Sequence, residues 1–354
     1  MAEQEANQEK EAGVPPGDGI GPTPESRPAS RSARPELSVV LVTPDSFATI
    51  RRTVSHLRAQ TARDKLEIVI AAPGIGPLGL DPAELSDFGG YQVVEVGPIT
   101  STAAAKVAAV HHARAPFVAF AEDHCFPEPG WAAALIETHA DGWAGVGPVV
   151  ANANPSGALS WTAFMMHFGR WAEPQPGCEV EQVPWHNGSF KRDLLLELGD
   201  DLRTLMVVEG YLQDALRARG HRMYVTPRAR VAHVNISLLR SWVRHGFHGG
   251  RLFGAFRARQ GGWSHAKRLL YAAGGPLIPV VRFRRLLQEI HRCEREKELL
   301  PRALPAIVLG LVVHMAGEVT GYVSGAGDAE EHYSHYEMGR YRHLTMEDRR
   351  AVGA

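Results

Sequence analysis

Val118-Ala119-Phe120-Ala121-Glu122-Asp123-His124 is an apolar run that ends abruptly in two acids and a histidine. That pattern describes a buried strand whose last residues emerge into a cleft. Hard oxygen ligands at such a point suit a divalent metal that holds a diphosphate. The competing reading is a strand end with solvated charges. The segments on either side decide between the two.

Upstream, Ser38-Val39-Val40-Leu41-Val42 is continuously apolar, as a parallel strand covered on both faces must be. Thr43-Pro44-Asp45-Ser46 interrupts it, and Ile50, Val54, Leu57 and Ala59 then recur at near-helical spacing up to Gln60. Ile68-Val69-Ile70 predicts a second buried strand, closed by Ala71-Ala72-Pro73-Gly74, and Val93, Val94 and Val96 a third. An alanine-rich helix over residues 103–113 precedes the strand at 117–121. Strand and helix alternate with short turns, which predicts an open, doubly wound α/β sheet, mostly parallel. Ligands of such sheets bind at the carboxyl ends of the strands, where the loops at 43–46, 71–74 and 122–124 converge.

Composition agrees with a globular chain: 354 residues, 44% hydrophobic, 22% charged, net charge -1. The balance argues against a dedicated nucleic-acid binder. Cys125, Cys178 and Cys293 are far apart and odd in number, which fits reduced thiols rather than a disulfide frame or a zinc site. No apolar leader follows Met1, so a cytoplasmic protein is expected. Residues 1–35 are rich in Glu, Pro, Gly, Ser and Ala and are expected to form a disordered tail. The expected organisation is that tail, an α/β domain over 36–236 and a helical, basic region over 237–354.

Several motifs of the α/β segment resemble family 2 glycosyltransferases of the GT-A fold. Ser55-His56-Leu57-Arg58-Ala59-Gln60 closes the first helix as that family does. Ala105-Lys106 resembles its Ala-Arg-Asn helix, and Glu122-Asp123-His124 stands where the family places Asp-x-Asp. Phe126-Pro127-Glu128-Pro129-Gly130-Trp131 matches the proline-then-tryptophan sequel. The resemblance extends over residues 37–235.

The resemblance implies transfer of a sugar, with inversion, from a nucleotide-diphosphate sugar to a glycan or lipid-linked acceptor. A Mn2+ or Mg2+ ion would neutralise the diphosphate leaving group. Asp123 is the leading metal candidate, with His124 beside it and His233, after an apolar pair, completing the set. An imidazole ligand favours Mn2+ over Mg2+. Glu122 is expected to face the sugar or ribose. Thr43, Pro44, Asp45, Ala71 and Lys106 are the further donor-binding candidates. Trp185-His186-Asn187-Gly188 resembles the acceptor-side loop, where Gly188 admits close backbone approach. In Val208-Glu209-Gly210-Tyr211-Leu212, Glu209 falls at the position of the family's catalytic Asp, with Leu212 and Gly220 in register. Inverting transfer requires a general base, and Glu209 is the candidate. A helix N-terminal carboxylate stabilised by the macrodipole is the plainer alternative. The sequence departs from the family at Val208, Ala71 and Ala72, where acids are usual. Those departures keep open an inactive, glycosyltransferase-like binding protein; a nucleotidyltransferase is the second alternative.

The C-terminal third differs. Between Leu238 and Arg295 stand twelve Lys or Arg against two Glu. Leu239, Trp242, Val243, Gly246, Phe247 and Gly250 share one helical face, and Arg240, Arg244, His248 and Arg251 another. Such a helix suits an anionic membrane surface, and the expected location is the inner face of the cell membrane. Two uncharged stretches, 269–281 and 303–317, fall short of a span and are expected to lie at the interface. His314-Met315-Ala316-Gly317-Glu318, with Gly321-Tyr322, resembles C-terminal helices of bacterial members of the family.

Overall fold

The computed structural model describes residues 34–353, so the expected tail lies outside the described residues apart from its last two positions. One sheet holds nine strands: β1 (Leu37–Val42), β2 (Leu66–Ala72), β3 (Gly90–Glu95), β4 (Phe117–Phe120), β5 (Cys125–Pro127), β6 (Gly145–Asn152), β7 (Cys178–Val180), β8 (Ser189–Lys191) and β9 (Met223–His233). The helices are α1 (Phe47–Arg58), α2 (Ile75–Leu78), α3 (Thr102–His112), α4 (Trp131–His139), α5 (Ala158–Phe168), α6 (Arg192–Leu196), α7 (Asp201–Met206) and α8 (Glu209–Ala218). The C-terminal region adds α9 (Leu239–Gln260), α10 (His265–Ala273), α11 (Leu277–Arg292), α12 (Glu296–Ser324), α13 (Ala329–Glu337) and α14 (Met346–Ala351).

The strand order is β3-β2-β1-β4-β8-β6-β9-β5, with β7 also on β9. From β3 to β4 all neighbours run parallel. β8 then runs antiparallel to both β4 and β6, and β5 and β7 run antiparallel to β9. The continuous apolar run of β1 has the expected cause. Leu37, Val39 and Leu41 enter one core with α1, α4 and α5, while Val40 enters the other with Val69, Ala71 and α3. Pro227 does not interrupt β9. The strand continues through it, and the pairing with β6 shifts register between Pro148 and Val149, where exposed Pro227 and Arg228 bulge outward.

The stretch 303–317 belongs to a single 29-residue helix, α12. Arg302 and Glu318 bound the uncharged run in sequence, but the backbone stays helical through both, and Glu318 is buried against Arg257 and Arg282. Residues 297–324 are long and apolar enough to cross a membrane by length and composition. One side of α12 packs on α9, α11 and α5, and Leu304, Val308 and Val312 remain exposed. The stretch 269–281 is broken at Gly274-Gly275-Pro276 into α10 and α11.

α9 and α12 approach closely through glycine. A Cβ at Gly250 would meet the His314 carbonyl, one at Gly254 the Glu318 carbonyl, one at Gly317 the Phe247 carbonyl and one at Gly321 the Arg251 carbonyl. Small residues at four-residue spacing let two helix backbones touch. Gly254→Val should therefore force α9 and α12 apart and cost about 1–3 kcal/mol or more, as overpacking does. Denaturant unfolding reads this directly; an unchanged midpoint would mean the interface has room to spare.

Beyond α12 the chain returns to the sheet. Ser334 Oγ accepts from Thr102 N at the start of α3, and the His343 carbonyl accepts from Ser237 and Leu238. Ser156 bonds Asp348, and Arg52 reaches the Val352 carbonyl. α13, α14 and the turn between them thus strap the C-terminus across the carboxyl end of the sheet.

Candidate functional site

The topology explains why distant residues meet at the end of β4. β8 runs antiparallel to β4, so the loop 184–188 that leads into β8 arrives where β4 ends. Asn187 N donates to the Phe120 carbonyl at 2.8 Å, and Trp185 stacks on Phe120 with ring centroids 4.4 Å apart. β5 pairs with the end of β9, which sets Cys125 opposite His233 and lets Val234 N donate to the His124 carbonyl. Three sequence-distant segments therefore deliver Glu122, His124, His186 and His233 to one place.

Glu122 Oε2 lies 3.3 Å from His124 Nε2 and 3.6 Å from His233 Nε2. All three residues are buried, and none of these three atoms has a hydrogen-bond partner. Buried polar atoms left without partners are costly, and three that face one another fit a shared cation. Two ligands about 2.1 Å from one ion sit roughly 3–3.4 Å apart at right or tetrahedral angles, close to the separations seen. The far ring nitrogens are already held. His124 Nδ1 lies 2.5 Å from Asp123 Oδ1, and His233 Nδ1 lies 3.1 Å from Asn235 Oδ1. Outer carboxylate and amide groups of this kind orient imidazoles toward a metal.

Asp123, expected as the leading ligand, has a different place. Its Oδ1 faces His124 and its Oδ2 accepts from Gly339 N at 3.1 Å. Glu122, expected to face sugar or ribose, instead provides the carboxylate that stands between the imidazoles. The sequence alone could not separate these adjacent acids, because the chain leaves the strand at Ala121 and the turn decides which carboxylate points inward. Burial alone would raise the pKa of Glu122, but His186 and His124 hold it well below the usual carboxylate range. Burial lowers His233 to about 3, so it stands as a neutral imidazole.

His186 brings Nδ1 within 2.5 Å of Glu122 Oε1, off any good hydrogen-bonding direction. Asn187 adopts φ 56° and is fully buried with both side-chain polar atoms unpartnered, facing the same interior. Gly188 is explained locally: a Cβ there would strike the Pro184 carbonyl.

Glu209 opens α8 and lines a cleft of about 940 Å³ with Tyr211, His167, His245, Phe253 and Tyr333. Lys106 Nζ lies 3.7 Å from its Oε1 and 5.8 Å from the Trp185 ring, so this lysine joins the loop 184–188 to α8. Burial raises the pKa of Glu209, against the lowering influence of Lys106 and His186. Its position at the first turn of α8 also matches the capping alternative, and the two roles coexist.

The first-loop candidates bond mainly within their own loop. Asp45 Oδ1 accepts from Ser46 N and Thr49 Oγ1, which secures the start of α1, and Thr43 bonds the Ser46 carbonyl. Pro44 is half-buried between them, and Ala71 is fully buried in β2.

Sequence reasoning missed the strap. Glu337 accepts from His245 at 2.8 Å and from Arg340 at 2.9 Å, and a second group of possible ligands joins Glu337 to Glu122 and His186. Burial opposes charge on Glu337, yet Arg340 and His245 keep its pKa well below normal. Arg340 is 4% exposed with Nε unpartnered, while Tyr341 bonds the Asp123 carbonyl. Charged residues set beside a histidine and a tyrosine in His335-Tyr336-Glu337-Met338-Gly339-Arg340 were the available signal.

No family model matches the chain, and no curated protein matches it. Among solved structures it is similar to a mannosyltransferase, PcManGT from Pyrobaculum calidifontis, in complex with GDP-Man and Mn2+. That likeness has a TM-score of 0.47 and 15% sequence identity, covering 86% of this chain and 87% of that chain.

Proposed function

We propose that this chain is a metal-dependent, inverting glycosyltransferase that uses a nucleotide-diphosphate sugar. The observation that carries the reading is the set of three unpartnered, buried ligand atoms on Glu122, His124 and His233 at the carboxyl end of β4, beside a large cleft lined by Glu209. A divalent cation held there, Mn2+ in preference to Mg2+ for its tolerance of imidazole, would supply charge neutralisation for a diphosphate leaving group.

The chain's own residues account for the rest. Asp123 and Asn235 hold His124 and His233 in place. Glu209 accepts the proton of the acceptor hydroxyl as its oxygen bonds to the sugar's anomeric carbon. The bond from that carbon to the diphosphate breaks on the opposite face, releasing the nucleoside diphosphate. Lys106 offsets part of the burial that raises the Glu209 pKa. Arg340, held by Glu337, presents a buried guanidinium beside the cluster and suits a phosphate oxygen.

The deciding experiment incubates the protein with Mn2+ and a panel of nucleotide sugars without acceptor. Slow release of nucleoside diphosphate supports the proposal. Pyrophosphate-linked products would indicate a nucleotidyltransferase, and silence across the panel an inactive binding protein.

A pH prediction follows from the Glu209 environment. A base works only when deprotonated, so turnover falls as pH drops through its raised pKa. Lys106→Met removes the cation 3.7 Å away and should move the acid limb of the kcat profile to higher pH. An unmoved limb would assign that limb to another group.

We also propose that the protein associates with an anionic membrane surface through the stretch 269–281, which its sequence also singled out. Arg251 is committed to Asp328 and the Gly325 carbonyl and His248 packs on His332, while Arg240 and Arg244 at the start of α9 stay exposed. Exposed apolar residues lie along that stretch, at Leu269, Leu270, Leu277, Val280 and Val281, and on α12 at Leu304, Val308 and Val312.

A further inference from the structure

Outside the cleft at Glu209 there is a second cavity, of about 720 Å³, between the end of α9 and α10, α11 and α12. Its two sides differ in chemistry. Arg257, Arg282 and Arg285 contribute three guanidinium groups, and the acidic side chain in its lining is Glu318. Glu318 is only 1% exposed; it accepts from Arg282 at 2.9 Å, lies 3.5 Å from Arg257 and is bonded by Tyr322. Arg285 is exposed and has no ion-pair partner among the described residues. One carboxylate cannot neutralise three guanidiniums, so the cavity retains positive charge. The opposite side is apolar and faces outward: Leu270 is 69% exposed, Leu277 68% and Val281 51%.

Fixed guanidinium groups match the oxygens of a phosphate, and exposed leucine and valine match hydrocarbon. Neither half explains the other: a free phosphate leaves the leucines in water, and a neutral chain leaves the arginines uncompensated. We propose that this groove is a binding site for a phosphate-bearing lipid, with the phosphate against Arg257, Arg282 and Arg285 and the chain over Leu270, Leu277 and Val281. Phe253 lines both this groove and the Glu209 cleft, and Arg282 bonds His314, which lines the cleft as well. A lipid seated there holds the cleft beside the membrane surface. The inference rests on the membrane reading above and adds to it a defined, saturable site.

The test uses the full chain and monomeric dodecyl phosphate, below its micelle concentration, in isothermal titration. Inorganic phosphate and an uncharged dodecyl polyoxyethylene ether serve as half-ligands. Saturable binding of dodecyl phosphate is expected, at least tenfold tighter than either half-ligand. Arg285→Glu, at an exposed position, should weaken it at least tenfold with an unchanged melting temperature. Leu277→Glu should do the same from the apolar side. Equal affinity for dodecyl phosphate in wild type and Arg285→Glu overturns the site, as does a neutral ether that binds equally well. Flotation with phosphatidylglycerol vesicles at low salt separates the two claims. Flotation without dodecyl phosphate binding leaves membrane association standing and removes the groove. Binding that depends on Arg285 without flotation supports the groove and removes the membrane reading.

Discussion

Glu122→Gln should abolish Mn2+ binding while leaving the fold intact. The substitution keeps the size of the side chain but removes the negative charge that stands 3.3 Å from His124 Nε2 and 3.6 Å from His233 Nε2. Outer groups that orient metal ligands are typically worth about 10–100-fold in affinity, so losing the central carboxylate should exceed that range. Asp123→Asn supplies the internal comparison. Asp123 meets His124 through Nδ1 and the strap through Gly339, so its loss should fall within the outer-group range. Titration calorimetry with Mn2+ ranks the two, and circular dichroism checks the fold. Should Asp123→Asn abolish binding and Glu122→Gln leave it untouched, the acids exchange roles.

Glu209→Gln should reduce turnover by about 10²–10⁴-fold, the usual contribution of a general base, with donor affinity nearly unchanged. The amide keeps the helix-terminal dipole interaction in part and the shape entirely, but it cannot take a proton. Because the role is confined to the transition state, the loss should appear in kcat rather than in donor Kd. Donor binding measured with Mn2+ separates this from damage to the cleft. A variant that turns over at the wild-type rate would reduce Glu209 to a first-turn carboxylate favoured by the dipole of α8.

Some of this architecture was legible in the chain. A run such as Ser38-Val39-Val40-Leu41-Val42 can be continuously apolar only if helices cover both faces, and α1 and α3 do so. The abrupt change after Ala121 located the mouth of the site, because charge cannot continue inside a two-sided core. Local order was less secure wherever a breaking residue had a tertiary remedy. Pro227 was absorbed by a register shift in β9, and Glu318, inside α12, by Arg257 of α9 and Arg282 of α11.

The sequence by itself determined the parallel half of the sheet, the strand end at 122–124, and the candidates His124, His233 and Glu209. The first two follow from hydrophobic period, a property of neighbours in the chain, and the three candidates are what the family resemblance implies. Only the tertiary structure decided that Glu122 rather than Asp123 lies among the imidazoles, that Arg251 is held by Asp328 and the Gly325 carbonyl, and that Glu337 and Arg340 return to the same cluster. Adjacent side chains on a turn diverge by an angle that their identities do not encode. Whether a distant charge is a partner or a free group depends on which backbone the rest of the fold lays beside it.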